Sequence, residues 1–211
     1  MLFGTQWGAR IFDLDTKQQV LAMQGSNFAA GTAMSADGRL VLTANPDTSA
    51  SADLSAHLLD AVTGQEIRRL TGLTAHASTA AISPNGRFGL TGSADGKVRL
   101  WDLSTGKQLP CLAGFSVAFL ADGRYAVTGD SDLRLWRIPS GEMVASHSVP
   151  SRCICPLPDN RFVLCGHGIQ NGEIRLWRLP LNKSGRVFVG KSEIEAGDPI
   201  AKQKHPSEPG K

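Results

Sequence analysis

The sequence lacks any long apolar run and any recognisable secretory leader. No stretch approaches the roughly 18 consecutive apolar residues that a membrane-spanning helix needs. The first residues, MLFGTQWGARIF, contain neither a basic segment nor a sustained apolar one, so they do not resemble a signal peptide. We therefore expect a soluble, cytoplasmic chain that has no membrane partner.

Charge of one sign is also scarce. The chain has 22 Lys and Arg against 19 Asp and Glu, a net charge of +3, and most of that excess follows residue 181. A nucleic-acid-binding protein needs a cluster or stripe of basic residues that displaces counterions from phosphates. The sequence contains no such cluster, so we expect no nucleic-acid partner.

Cysteine is sparse, and the four cysteines are typical of a chain in a reducing compartment. The group Cys153, Cys155, Cys165 and His167 has metal-ligating residue types, and a hairpin would place Cys153 near Cys165. However, the spacing lacks the Cys-x₂-Cys motif of zinc sites. The residues 153–155 fit an inner strand, in which cysteine packs as a small hydrophobe. We expect no metal and no cofactor.

What the sequence does have is repetition. One short phrase occurs four times, at residues 35–39, 83–87, 120–124 and 157–161, and the arginines that end it are 48, 37 and 37 residues apart. Asp-Gly and Asn-Gly supply the positive φ that tight hairpins need, and each phrase lies between runs rich in β-forming residues. Each phrase predicts a hairpin turn.

A second phrase follows each turn, and a fifth copy of it lies before the first turn. Every copy contains a bulky anchor residue. The anchors are Phe12, Leu59, Trp101, Trp136 and Trp177, at intervals of 47, 42, 35 and 41 residues. A turn and one further β-rich run come after each anchor. The pattern predicts repeated units of four short antiparallel strands.

These residues carry a resemblance to a known family. The succession Ser83-Pro84-Asn85-Gly86, Leu90-Thr91-Gly92-Ser93-Ala94-Asp95-Gly96 and Val98-Arg99-Leu100-Trp101-Asp102 resembles the WD-repeat β-propeller family. The similarity is strongest at about residues 76–109 and covers roughly residues 2–190. It implies an all-β fold whose four-stranded antiparallel blades are arranged radially around a central channel. A lone sheet of this size cannot bury both faces, so the anchors would pack between blades.

The strand count predicts an incomplete ring or open arc. Leu2–Gln6 aligns with Leu90–Ala94, so the first strand is the second strand of a blade, and Arg186–Gly190 is predicted to be the last outer strand. About four complete blades plus part of a fifth result, whereas a seven-bladed ring of this family would need roughly 300 residues. Residues 1–190 form the predicted propeller segment.

Residues 191–211, rich in Glu, Lys, Gly and Pro, are predicted to be a disordered tail. Three explanations of the open arc remain. The chain is a truncated portion of a longer gene product, two chains form a homodimer that completes one ring, or a five-bladed closure borrows a strand from the tail.

The resemblance also implies a structural polar network, because blades of this family often hold a buried set of His, Ser or Thr, Asp and Trp. In the strongest unit the set maps to Thr91, Asp95 and Trp101, with His76 a poor fourth member. In the other units it maps to Thr128, Asp130 and Trp136 and to Cys165, Asn171 and Trp177. We interpret these residues as structural hydrogen-bond partners and assign no catalytic residue.

Three arginines, Arg99, Arg134 and Arg175, each precede a tryptophan by two residues and share its face of the strand. They could form a repeated anion site. The interpretation we favour is that their stems cover apolar surface while each guanidinium reaches solvent or a carboxylate.

One loop is a candidate partner-binding segment. Thr43 and the anchor Leu59 are 16 positions apart, whereas Thr91 and Trp101 are ten apart, so the first loop contains an insertion. The loop residues of interest are Asn45, Pro46, Asp47, Thr48, Ser49 and Ser51. They lie in the connection between second and third strands, where partners of this family usually dock. The alternative is a tolerated flexible insertion, since the segment lacks an aromatic or arginine anchor.

The sequence contains no nucleophile elbow, phosphate loop or His-Glu metal motif. We therefore expect a non-enzymatic WD-repeat scaffold that mediates protein–protein interaction through unidentified protein partners. The alternatives are a truncated gene fragment with no autonomous function and, less favoured, a propeller enzyme whose active site lies on top-face loops.

Overall fold

The computed structural model describes residues 2–5, 8–13, 15–23, 31–44, 54–166 and 174–181. These residues form antiparallel β-strands joined by tight turns, in five sheets numbered here in chain order. No helix that could cross a membrane is found within those ranges.

Each sheet is an antiparallel meander, except that in sheet 3 both of the last two strands pair with the strand before them. Sheet 1 contains β1 (Leu2–Thr5), β2 (Gly8–Phe12) and β3 (Gln19–Met23), and sheet 2 contains β4 (Gly31–Met34), β5 (Leu40–Ala44), β6 (Ala56–Asp60) and β7 (Glu66–Leu70). Sheet 3 contains β8 (Ala77–Ile82), β9 (Phe88–Ser93), β10 (Lys97–Asp102), β11 (Lys107–Gln108) and β12 (Leu112–Ala113). Sheet 4 contains β13 (Ser116–Phe119), β14 (Tyr125–Gly129), β15 (Leu133–Arg137) and β16 (Glu142–His147), and sheet 5 contains β17 (Cys153–Pro156), β18 (Phe162–Gly166) and β19 (Ile174–Arg178).

The repeated phrases form the turns between first and second strands, as predicted. Gly38, Gly86 and Gly123 have φ of 71°, 70° and 66°, and Asn160 takes the same left-handed conformation in the last turn with φ of 56°. Within the first turn the Asp37 carboxylate accepts hydrogen bonds from the Ser35 hydroxyl at 2.6 Å and from the Arg39 backbone N–H at 3.1 Å. Such a self-contained turn fixes the register of the strands that it joins.

The core consists of apolar layers between neighbouring sheets. The layer between sheets 2 and 3 contains Leu42, Leu58 and Leu70 together with Trp101 of sheet 3. The layer between sheets 3 and 4 contains Trp136 in the same role. Trp101 and Trp136 therefore each pack against the preceding sheet, as predicted for these two anchors.

The outer edges of the sheets are irregular. The pairing of the last two strands shifts register at Ile11/Phe12 in sheet 1, at Leu58/Leu59 in sheet 2 and at Leu135/Trp136 in sheet 4. In sheet 3 two short strands, β11 and β12, pair with the outer edge of β10. Bulged or broken edges are poor templates for pairing with another chain.

The five sheets form an open arc. The innermost strands β4, β8, β13 and β17 each lie beside the next, and β1 lies beside β4. Among the described strands, sheet 5 does not pack broadly against sheet 1. The all-β fold and the open arc are thus as predicted. The predicted strand Arg186–Gly190 and the tail 191–211 lie outside the described residues, so the division at residue 190 stays a prediction.

Candidate partner-binding face

Two kinds of connection lie at the same end of the strands in successive sheets. We call the surface that they form the connecting face. It contains the turns between second and third strands, at 94–96 and 130–132, and the segments between sheets, at 71–76 and 148–152. Backbone hydrogen bonds join the two kinds, from Ala94 N to His76 O at 3.0 Å and from Ser151 N to Asp130 O at 2.8 Å. The connecting face therefore has a fixed backbone between sheets 2 and 5.

A buried arginine holds the connecting face at sheet 3. Arg99 is only 3% exposed and donates hydrogen bonds to Asp95 at 2.9 Å, to the Thr74 hydroxyl at 2.8 Å and to the Gly72 carbonyl at 3.1 Å. These acceptors belong to the turn before β10 and to the segment that precedes β8. Since its donors are bonded to protein groups, Arg99 does not support the alternative of an anion site.

The Asp95 carboxylate is held in its charged form. Burial by itself would raise the pKa of Asp95, but hydrogen bonds from Arg99, Ser93 and Thr74 outweigh burial and hold that pKa well below its usual range. The Ser93 hydroxyl, for example, donates to Asp95 at 2.6 Å. A carboxylate that stays ionised and fully bonded is suited to fixing a turn and unsuited to exchanging protons.

Replacing Asp95 by asparagine tests this role. We expect Asp95→Asn to lower the free energy of unfolding at pH 7 by about 1–3 kcal/mol, because Arg99 would lose its charged partner. The folded-state pKa of Asp95 lies below the unfolded value of about 3.9, so its stabilisation is present above that pH and is lost as the pH falls further. Urea unfolding at pH 7 and pH 3 should show a difference between the two proteins that shrinks in acid. The exposed Asp130→Asn is the control, and an equal loss there would contradict the assignment.

Two tryptophans are fixed by threonine hydroxyls. The Trp101 indole donates to Thr91 Oγ1 at 2.9 Å, and the Trp136 indole donates to Thr128 Oγ1 at 2.8 Å. The Thr128 hydroxyl in turn donates to the Ala113 carbonyl at 2.6 Å. The structure therefore brings each predicted threonine and tryptophan together. It places Asp95 in a separate cluster, the one around Arg99.

In sheet 4 the acidic member is Asp132, not the predicted Asp130. Asp130 is exposed, whereas Asp132 forms an ion pair with Arg134 and accepts a hydrogen bond from the Ser148 hydroxyl at 3.1 Å. Three residues lie between the paired Gly129 and Leu133, whereas five lie between Gly92 and Val98 in sheet 3. Asp130 precedes Trp136 by six residues, as Asp95 precedes Trp101, so counting back from the tryptophan across the shorter connection selects the wrong carboxylate. Counting four residues forward from the threonine, as from Thr91 to Asp95, selects Asp132.

Sheet 5 departs from this pattern. Cys165 pairs with Arg175 across the strands, the place that Thr91 and Thr128 occupy in sheets 3 and 4, and its thiol contacts the Arg175 carbonyl at 3.5 Å. Burial raises the pKa of the Cys165 thiol, and smaller opposite effects come from Ser151 and Arg175. Trp177 is only partly buried, Arg175 is exposed, and the predicted Asn171 lies outside the described residues.

The cysteine hairpin does not converge as predicted. Cys165 lies opposite Ile154 and Cys153 lies opposite Gly166, so Cys153 and Cys155 point to one face of sheet 5 and Cys165 to the other. Cys165 is buried, but Cys153 and Cys155 are exposed, so the prediction that they pack in the core is wrong. His167 is outside the described ranges. Within those ranges no three His, Cys, Asp or Glu side chains are grouped to hold a metal ion.

The predicted loop joins β5 to β6, as residues 94–96 join β9 to β10. Its residues Asn45, Pro46, Asp47, Thr48, Ser49 and Ser51 lie outside the described residues. Their use in binding stays a prediction.

Comparison with known proteins identifies the repeat. The family model for the WD domain, G-beta repeat, matches residues 64–102. This span runs from the outer strand of sheet 2 to the third strand of sheet 3, so the sequence repeat straddles two sheets.

Several curated proteins are similar over longer stretches. The small ribosomal subunit protein RACK1z of Arabidopsis thaliana is 34% identical over 96 residues, which cover 43% of this chain and 29% of the relative. Autophagy-related protein 16 of the same plant is 26% identical, covering 78% of this chain and 38% of the relative. The target of rapamycin complex subunit wat1 of Schizosaccharomyces pombe is 24% identical, covering 67% and 48%. The chain thus spans less than half the length of each of these relatives.

A solved structure shares the fold. The β-propeller domain of Cps50 (Swd1) from Myceliophteria thermophila superposes with a TM-score of 0.72 at 17% sequence identity. The match covers 87% of this chain and 64% of the solved one. The described sheets therefore have the arrangement of propeller blades.

Proposed function

Because the chain belongs to the WD-repeat β-propeller family, we propose that it is a non-enzymatic scaffold that binds protein partners on its connecting face. The observation that carries this proposal is that the polar residues of this face form two groups, one bonded internally and one exposed. Asp95, Arg99 and Thr74 bond to one another and hold the backbone of that face, while Lys97, Asp130 and Ser131 beside them are exposed. A rigid backbone with exposed polar side chains suits recognition of another protein.

The names of the relatives support an interaction role. One relative is a subunit of a target of rapamycin complex and another is a protein of the small ribosomal subunit, so both take part in larger assemblies. We propose the same general role for this chain, with partners that remain to be identified. The near-neutral charge supports protein partners over nucleic acid. We further propose that the chain acts in the cytoplasm.

An enzymatic role has less support. The described acid with the most perturbed pKa is Asp95, and its hydrogen bonds stabilise the charged form. A general acid or base needs a pKa near the working pH. Asp95 therefore fits a structural role, and the proposal assigns no catalytic residue.

The proposal can be tested with variants that alter one face at a time. The tagged chain would be expressed in its native cells, crosslinked and purified, and the captured proteins identified by mass spectrometry. We expect Lys97→Glu combined with Asp130→Arg to remove specific partners, since rim charges steer association. Arg39→Glu, on the opposite end of the sheets, should leave capture unchanged. Identical capture by all three proteins, or no capture above background, would contradict the proposal.

The loop between β5 and β6 needs its own test. Deleting Pro46–Ser51 should leave the melting temperature nearly unchanged, because loop length affects stability only weakly. Since the segment has no aromatic or arginine anchor, we expect most partner capture to persist. Loss of capture with an unchanged melting temperature would instead identify this loop as the docking segment.

A further inference from the structure

The face of sheet 5 that is turned away from sheet 4 repeats a surface that the preceding sheets bury. Val163 of β18 packs in the layer shared with sheet 4, so its neighbours Phe162 and Leu164 point the other way. Cross-strand pairing matches three apolar residues of this face with three in sheet 3 and three in sheet 4. The matched sets are Leu90, Val98 and Leu100, then Val127, Leu133 and Leu135, then Leu164, Ile174 and Leu176. We call the third set, together with Phe162, Gly166, Cys153 and Cys155, the end face.

The end face is exposed where its counterparts are buried. Val98 and Leu133 are 0% and 4% exposed, whereas the matching Ile174 is 75% exposed. Leu164 is partly buried, whereas Leu90 is fully buried. A contiguous apolar surface that the fold leaves open to solvent is typical of an interaction site.

In sheets 3 and 4 the counterparts are covered by the following sheet in the same way. The tryptophan on the third strand of the following sheet packs on the apolar residues. Trp136 lies in the layer that contains Leu90, Val98 and Leu100, and Trp177 packs against the layer that contains Val127 and Leu135. The first strand of the following sheet lies against the second strand of the sheet before it, β13 against β9 and β17 against β14. A surface of this type therefore accepts a complete sheet with an aromatic residue on its third strand.

A backbone carbonyl marks both of these junctions. It comes from a residue shortly before the first strand of the following sheet, and it lies between a hydroxyl and a glycine of the sheet before. The Phe115 carbonyl accepts a hydrogen bond from Thr79 Oγ1 at 2.5 Å, and the Ser151 carbonyl accepts one from Ser116 Oγ at 3.1 Å. A methyl group on the adjacent glycine, at residue 92 or 129, would lie 1.9 Å or 2.4 Å from the same oxygens. Glycine is therefore required where the following sheet approaches.

Sheet 5 has the same carbonyl-accepting arrangement on its end face. Cys153 lies opposite Gly166, as Ser116 lies opposite Gly129. Cys153 is exposed, and its thiol is a weaker donor in the place of the hydroxyl. Among the described residues, a methyl group at Gly166 would meet only the Cys153 Cβ, at 3.8 Å. The end face thus has both the apolar surface and the glycine with which sheets 3 and 4 accept a following sheet.

Other parts of this chain are poor occupants of the end face. A second copy would offer sheet 1, whose first described strand, β1, pairs with the anchor strand β2 and so corresponds to the second strand of a blade. Sheet 1 therefore brings no described first strand that would place a carbonyl at Gly166. Residues 182–211 contain one β-rich run, Arg186–Gly190, and are otherwise rich in Glu, Lys, Gly and Pro. Such a composition is unsuited to forming a further apolar sheet.

We propose that the end face binds a blade-like antiparallel β-sheet of a separate partner protein. The first strand of that sheet places a backbone carbonyl between Cys153 and Gly166, and its third strand packs an aromatic side chain on Leu164 and Ile174. Aromatic residues are the preferred anchors at the buried centre of an interface. The inference rests on the proposed scaffold function and adds a second docking site, on a different surface from the connecting face.

The test begins with the full chain in which Ile174 is replaced by photoreactive p-benzoylphenylalanine. The purified chain is added to an extract of its source cells and irradiated, and the crosslinked peptide is identified by mass spectrometry. We expect an adduct with another protein, at a strand that carries an aromatic residue within a run of short antiparallel strands. That protein is then produced by itself, and its affinity for the full chain is measured by calorimetry.

Gly166→Ala separates docking from folding. The melting temperature of the free chain should stay unchanged, because the added methyl group meets only the Cys153 Cβ at an ordinary contact distance. Partner affinity should fall by about tenfold or more, because the methyl group would overlap the incoming carbonyl. Ile174→Glu should also weaken binding by about tenfold or more, since it places a charge in the apolar contact. Val62→Glu, at a side chain that is 77% exposed on sheet 2, is the matched control and should change affinity by less than about twofold.

The proposal is overturned if no adduct forms, or if the adduct joins two copies of this chain or joins residue 174 to residues 182–211. It is also overturned if either Gly166→Ala or Ile174→Glu leaves partner affinity unchanged. In any of these cases, partner capture that depends on Lys97 and Asp130 would leave the scaffold function standing.

Discussion

Trp101→Ala is expected to lower the free energy of unfolding by about 3–5 kcal/mol, or to prevent folding altogether. The side chain is 1% exposed and packs in the layer between sheets 2 and 3 with Leu42, Leu58 and Leu70. Its removal would leave a large cavity in a layer that joins two sheets. It would also take the indole donor away from the buried Thr91 hydroxyl.

Two variants separate packing from hydrogen bonding at this site. Trp101→Phe retains most of the apolar volume but loses the indole N–H, so it should cost clearly less than Trp101→Ala. Met143→Ala removes an apolar side chain that is 52% exposed and should have little effect. Thermal and urea unfolding followed by circular dichroism would measure all three. A melting temperature unchanged by Trp101→Ala would show that the register of the sheets is wrong.

Gly92→Ala is expected to destabilise the protein by about 3 kcal/mol, the upper end of the usual cost of overpacking, because a buried overlap of this kind forces the backbone to move. A methyl group at residue 92 would lie 1.9 Å from the Phe115 carbonyl oxygen and 2.3 Å from the Thr79 hydroxyl. Gly92 lies on β9, which is paired with β8 on one side and with β10 on the other. The strand therefore cannot move away without breaking its ladders.

Gly96→Ala is the matched control for this effect. Gly96 has φ of 73°, so alanine there is strained, yet a methyl group would meet nothing within 4 Å. The backbone cost alone is about 1 kcal/mol. Equal losses at the two positions would mean that sheets 3 and 4 are not packed as closely as described. A larger loss at Gly92 would confirm the close approach of the Phe115 carbonyl.

The sequence predicted well those features that repeat for a physical reason. Hairpin turns require residues that tolerate positive φ, and the phrase that ends at Arg39, Arg87, Arg124 and Arg161 marks all four. Packing between sheets requires a bulky residue at one position of the third strand, which the Trp101 and Trp136 anchors identify. The open arc followed from counting these units.

Features that depend on the length of a single turn were harder to predict. Asp130 precedes Trp136 by six residues, as Asp95 precedes Trp101, and this spacing favours it over Asp132 although the connection in sheet 4 is two residues shorter. Cys153 and Cys165 were placed together because the hairpin was known and its exact register was not. One residue of register reverses the face of a side chain, and the sequence did not determine it here.

The histidine that stands in place of a buried leucine between sheets 4 and 5 could not have been found from the sequence alone. Leu70, Leu112 and His147 are seen to occupy equivalent places only once the cross-strand partners are known. Because the outer strands are bulged or broken, residue spacing along the sequence does not reveal that these positions are equivalent.

The central claim is that the repeated sheets form a discrete folded scaffold, and size-exclusion chromatography with light scattering tests it most directly. We expect a single symmetrical peak whose mass is that of one 22.4 kDa chain, or of two if a homodimer completes the ring. A broad distribution of soluble aggregates at micromolar concentration would contradict it, because it would mean that the sheets do not form a self-sufficient body.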